Sequence, residues 1–192
     1  MTTTHDSPNG FRIGEADSQC RYPVFADDQY IGSIFRWHGG WLAIPAGASE
    51  AIRQGDGRTG SAAAARHLLE EFRAGRITPQ ADTSTTNPVP ATTAGSVPLL
   101  HPRMRDTDRN RDAAHKALTG LTAYLWEPLG GYPGSDNPWA LRCKLCGWTG
   151  NRYWSHLRGR NGLPPSPYRH PGCIDADQVR ARIPAYAKTP QD

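Results

Sequence analysis

Residues 142–150 read "RCKLCGWTG", and residues 170–173 read "HPGC". Cys143 and Cys146 form C-x-x-C followed by Gly147. At this spacing two thiolates can grip one ion from a tight turn, and the glycine lets the backbone amides face the sulfurs. His170 and Cys173 form H-x-x-C just before a helix-like stretch, where ligands three apart share a face. The full pattern, C-x2-C-x23-H-x2-C, supplies the four protein ligands that a structural zinc requires. One Zn2+ per chain is expected, on Cys143, Cys146, His170 and Cys173. His156, in "YWSHLRG", is the alternative fourth ligand. His170 is preferred because it completes a second pair.

Around this pattern the chain is polar. Of 192 residues 37% are hydrophobic, 17 are proline and 20 are glycine, and the mean hydropathy is -0.65. Such a chain suits small modules better than one large core, and small modules often need a staple such as a metal. No apolar run of about 18 residues occurs, so no membrane span is expected. The start, "MTTTHDSPNG", has no basic stretch followed by an apolar one, so no signal peptide is expected. A cytoplasmic location is expected, and there the four cysteines read as metal ligands or thiols before disulfides. Cys20, remote from the other three, reads as a small buried residue.

The net charge of +4 is uneven. Residues 1–77 hold eight Arg and nine acids. Residues 140–170 hold Arg142, Lys144, Arg152, Arg158, Arg160 and Arg169 and no acid. Arginines interleaved with Trp148, Tyr153 and Trp154 suit a nucleic-acid backbone and its bases.

The organisation along the chain is α+β. Residues 1–10 read as a disordered tail. In 11–77, "RYPVFA", "YIGSIFRW" and "WLAIPA" are strand-like runs separated by "DDQ" and "HGG" turns. "TGSAAAARHLLEEFRAG" then reads as a helix with Thr59 or Ser61 at its start, Gly75 at its end, and Ala64, Leu68, Leu69 and Phe72 on one face. This is a small β-β-β-α module, and Trp37 and Trp41 belong to its core before they suggest a base-stacking platform. Residues 78–106, rich in Thr, Pro and Ser, read as a flexible linker. Residues 107–188 read as the metal-binding module, with a first helix from about Thr107 to Gly120 and a short last helix stopped before Pro184.

The stretch 117–150, "ALTGLTAYLWEPLGGYPGSDNPWALRCKLCGWTG", resembles a treble-clef zinc-finger module of bacterial and phage proteins. The matching residues are Pro128, Leu129, Tyr132, Pro133, Gly134, Pro138, Trp139, Cys143, Cys146 and Gly147, within a resemblance spanning roughly 113–175. The sequence departs from that pattern at His170, which stands where a cysteine would open the closing pair. The resemblance implies a treble-clef fold, structural zinc and association with nucleic acid.

Three functions follow as expectations. The first is zinc-stabilised binding of nucleic acid, DNA foremost, through Arg142, Lys144, Arg152, Arg158, Arg160 and Arg169. The second is a protein-interaction adaptor with purely structural zinc, for which residues 11–77 offer a partner surface. The third is a divergent HNH-like nuclease, since treble-clef scaffolds also carry that chemistry and His156 has a plausible offset for its base. Ser155 stands where an acid is usual, and the helix after Cys173 has no His or Asn, so no catalytic residue is assigned. No phosphate-cradling loop, nucleophile elbow or dinucleotide fingerprint is present.

Overall fold

The computed structural model describes residues 10–80 and 97–187. The chain divides into two compact units, Met1–Ala94 and Gly95–Asp192. Both sheets are antiparallel and helices accompany each, so the class is α+β.

The first unit holds β1 (Arg12–Ile13), β2 (Arg21–Ala26), β3 (Gln29–Trp37), β4 (Gly40–Pro45), β5 (Ile52–Asp56) and α1 (Gly60–Arg73). The strands pair in sequence order as one five-stranded sheet. Two-residue turns join its centre. Asp27–Asp28 and His38–Gly39 all take positive φ, and such turns follow the right-handed twist of flanking strands. Three strands were expected, and five form. β1 and β5 are short, mostly exposed edges, and "RI" and "IRQGD" carry no alternating apolar signal. Ala64, Ala65, Leu68 and Leu69 of α1 pack on Val24, Ile31, Ile34 and Ala43 of the sheet. Thr59 is the N-cap but makes no side-chain capping bond. Gly75 (φ +71) ends the helix: its N–H donates to Phe72 and that of Arg76 to Glu71, the paired bonds of a Schellman motif. Trp41 is half-buried against this core and donates to the Gly57 carbonyl (3.2 Å). Trp37 is half-buried beside His38.

The second unit holds α2 (Asp108–Ala123), β6 (Trp126–Pro128), β7 (Pro138–Cys143), β8 (Thr149–Tyr153), α3 (Trp154–Leu157), α4 (Ala176–Arg182) and α5 (Pro184–Ala187). The sheet order is β6-β7-β8. Thr107 caps α2 by accepting from Asn110 N–H. Ala114, Ala117 and Leu121 of α2 meet Trp126, Trp139, Leu141 and Trp154 in a compact core. Buried aromatic side chains of this size each remove about 150–250 Å² from water, so a few of them supply most of its apolar burial. A second cluster joins Val179 of α4, Ile183 between the two last helices and Tyr186 of α5.

The linker boundaries differ from those expected. Gln80 exchanges two backbone hydrogen bonds with Tyr30, which attaches it to the first sheet. At the other end, Leu99 and His101 bond to the backbone of Tyr132, and Leu99 and Leu100 pack on the second core. Residues 97–106 therefore belong to the second unit, because "PLLHP" contains enough apolar surface to be captured by it. Residues 1–9 of the tail expected at 1–10, the linker centre at 81–96 and the stretch 188–192 lie outside the described residues. Among the described residues no helix is long and apolar enough to cross a membrane.

Candidate metal centre

β7 and β8 are joined by the C-x-x-C turn. Cys143 N–H donates to the Trp148 carbonyl (2.8 Å), and Gly147 N–H donates back to the Cys143 carbonyl (2.8 Å). Gly147 has φ +80, which a side chain would resist. This knuckle places Cys143 at the buried end of β7 and leaves Cys146 exposed. The second pair arrives on a turn. Cys173 N–H donates to the His170 carbonyl (3.3 Å), and Gly172 has φ +78. Helical spacing was the expected reason for their convergence. Instead α4 begins only at Ala176, capped by Asp175, and the H-P-G-C turn sets the pair.

The metal-type atoms of Cys143, Cys146, His170 and Cys173 all lie within 4.8 Å of one another. Cys143 Sγ is 4.0 Å from Cys173 Sγ, and Cys146 Sγ is 3.1 Å from His170 Nε2. A tetrahedral ion with bonds of about 2.0–2.3 Å needs ligand separations of about 3.3–3.8 Å, so small side-chain shifts would close the site. His170 Nδ1 lies 2.8 Å from the Pro171 carbonyl. Donation there leaves the Nε2 lone pair for a metal, the usual outer-shell support of a ligating histidine. Trp148 stacks on the His170 ring at 4.4 Å and 8°.

Arg169 is the residue that the sequence reading misplaced. It was expected to contact nucleic acid, yet it is 1% exposed. Its Nε donates to Cys143 Sγ (3.2 Å), Nη1 to the Tyr124 carbonyl (2.8 Å) and Nη2 to the Leu125 carbonyl (2.7 Å). Its guanidinium also lies 4.2 Å from the Trp126 ring centroid. Leu125 takes φ +55 to present that carbonyl, a conformation a leucine adopts only when its surroundings impose it. A buried cation needs an opposite charge, and here a thiolate provides it. Burial pushes the Cys143 thiol up, but the hydrogen bond from Arg169, the Leu145 amide and His170 outweigh it and bring the pKa down to about 6. The Cys173 thiol is raised, first by burial and then by the Cys143 charge. Neighbouring thiolates of this kind are mutually repulsive until a cation sits among them. No signal in the sequence separates Arg169 from Arg142, which also directly precedes a cysteine of the group and pairs instead with Glu127.

The remaining expected contacts divide. Arg152 is half-buried: Nε donates to the Arg169 carbonyl (2.6 Å), and its guanidinium lies 4.5 Å over Trp148. Arg142 pairs with Glu127 (3.3 Å). Lys144, Arg158 and Arg160 are exposed, with Asp136 3.7 Å from Arg160. The stretch 140–170 thus lacks acids in sequence but meets two of them in space. His156 sits exposed on α3 beside Tyr153 (5.2 Å) and is outside the converging ligand group.

No family model, curated protein or solved structure matches this chain.

Proposed function

We propose that this protein is a zinc-stapled nucleic-acid-binding protein, with DNA as its foremost target. Three thiolates and one imidazole are a soft, nitrogen-containing donor set that suits tetrahedral zinc. Four protein ligands complete the coordination, and a closed site of this kind is structural, with no position left for a substrate. The knuckle on a hairpin, followed by a ligand pair leading into a helix, supports the treble-clef reading of the second unit.

The observation that carries the binding reading is the set of exposed cations on and after the hairpin. Lys144 lies on the knuckle, while Arg158 and Arg160 follow α3. They lie in a stretch of 31 residues that contains no acid, and Asp136 approaches one of them, Arg160, at 3.7 Å. Cations so placed attract phosphates, and each contact adds about 0.9 to the slope of log affinity against log salt on duplex DNA. The test is a gel-shift series over salt, with metal measured on the same preparation. Replacing Arg158 and Arg160 by Ala should weaken binding to every sequence and flatten the slope by roughly two units. Absence of zinc, or no binding at low salt, would end this reading in favour of a protein adaptor or a different metal chemistry.

A further inference from the structure

The loop from Arg158 to Arg169 leaves α3 and ends at the metal centre. Both ends are held. Gly159 has φ +82, and a Cβ there would lie 2.3 Å from the Leu163 carbonyl oxygen, so the chain folds tightly on itself. Leu163 N–H donates to the Arg160 carbonyl (2.9 Å). At the far end Arg169 is locked to three acceptors and His170 joins the ligand group. Pro164, Pro165 and Pro167 restrict the backbone between these anchors.

On this fixed loop two large apolar side chains face water. Tyr168 is 61% exposed and Leu163 69%, the highest values among the large hydrophobics of the described residues. Pro164 is exposed, while Pro165 and Pro167 are half-buried. Arg158 and Arg160 are exposed on the same segment. An outward tyrosine whose backbone neighbour is immobilised loses little entropy when a ring stacks on it. Exposed cations on the same segment suit a polyanion, and they disfavour a basic partner.

We propose that this loop is a single-strand nucleic-acid contact, in which Tyr168 stacks on an unpaired base while Arg158 and Arg160 hold the flanking phosphates. The proposal rests on the nucleic-acid reading above and narrows it. A duplex hides the faces of its bases, whereas an unpaired strand offers one to each aromatic platform. Stacking does not discriminate between deoxyribose and ribose, so the shared chemistry is an unpaired polynucleotide.

The experiment is fluorescence anisotropy with the full-length, metal-loaded chain on oligo-dT, oligo-rU and a mixed-sequence duplex at several salt concentrations. Tyr168→Ala should weaken single-strand binding about 5- to 100-fold, leave the salt slope unchanged and alter duplex binding less. Tyr168→Phe should restore affinity to within about two-fold, because stacking needs the ring and not the hydroxyl. The ratio of dT to rU affinity identifies the preferred source. Metal content and circular dichroism of each variant establish that the fold is retained. Duplex binding that responds to Arg158→Ala and Arg160→Ala, with Tyr168→Ala no weaker than wild type on single strands, would overturn this proposal and leave the broader reading standing. No binding to any of the three probes would overturn both.

Discussion

Arg169 joins the metal centre to the backbone. One guanidinium donates to a thiolate and to two carbonyls, and among the described residues no carboxylate pairs with it. Replacing it by Met keeps much of the volume but leaves the Tyr124 carbonyl without its guanidinium donor, while the Leu125 carbonyl keeps the Lys144 N–H (3.1 Å). One such buried orphan costs about 1–3 kcal/mol, and loss of an outer-shell partner lowers metal affinity about 10- to 100-fold. The pH response follows from the same contact. Cys143 titrates near 6, below the ordinary thiol range. Its thiolate is therefore retained above that pH, and the stability it confers is lost as pH falls through about 6. Without Arg169 the thiol rises toward its ordinary value, protons compete with the metal earlier, and metal release moves to higher pH. A chromogenic indicator titrated against pH measures this. An unchanged release midpoint in Arg169→Met would show that the contact does not tune the site. The convergence of Cys143, Cys146, His170 and Cys173 was legible because paired spacing encodes it. The role of Arg169 was not, because an arginine in a basic stretch looks the same whether it faces water or a sulfur.

Gly120 shows how an element can mislead. Read from sequence, glycine marks the end of a helix, yet α2 continues to Ala123. A Cβ at Gly120 would lie 2.1 Å from Trp154 Cη2. The glycine is there to admit the indole, and the helix tolerates it because that packing outweighs propensity. Two effects of opposite sign meet in Gly120→Ala. Propensity alone favours alanine by about 1 kcal/mol, whereas overpacking costs about 1–3 kcal/mol. The clash is with a buried ring, so net destabilisation is expected, read as a lower denaturation midpoint of the second unit. A stabilised variant would show that Trp154 can move aside. The central hairpins of the first unit were legible from β-branched and aromatic runs and from their turn residues. β1 and β5 were not, since edge strands of two and five polar-leaning residues are defined by what they pair with.

The two units differ in what holds them. The first buries Val24, Ile31, Ile34 and Leu68 between sheet and helix and contains no group of metal-type ligands among its described residues. In the second, Cys143, Cys146, His170 and Cys173 converge within 4.8 Å, so a metal held there would fasten the chain leading to α4 onto the hairpin. Structural zinc in such sites is worth about 10 kcal/mol or more, comparable to the whole stability of a domain, about 5–15 kcal/mol. Removing it should therefore unfold one unit and spare the other. The division itself was legible in the Pro- and Thr-rich composition between the units. Its edges were not, because Gln80 and Leu99–His101 are fixed by backbone pairing that composition does not reveal. Hydrogen exchange read by mass spectrometry, with and without a strong zinc chelator and with metal content followed in the same samples, tests the account most directly. It should show one zinc per chain before chelation, loss of amide protection across 97–187 afterwards, and retained protection across β2–β4 and α1. Unchanged protection of β7 and β8 after verified metal removal, or a freshly purified protein without zinc, would contradict it.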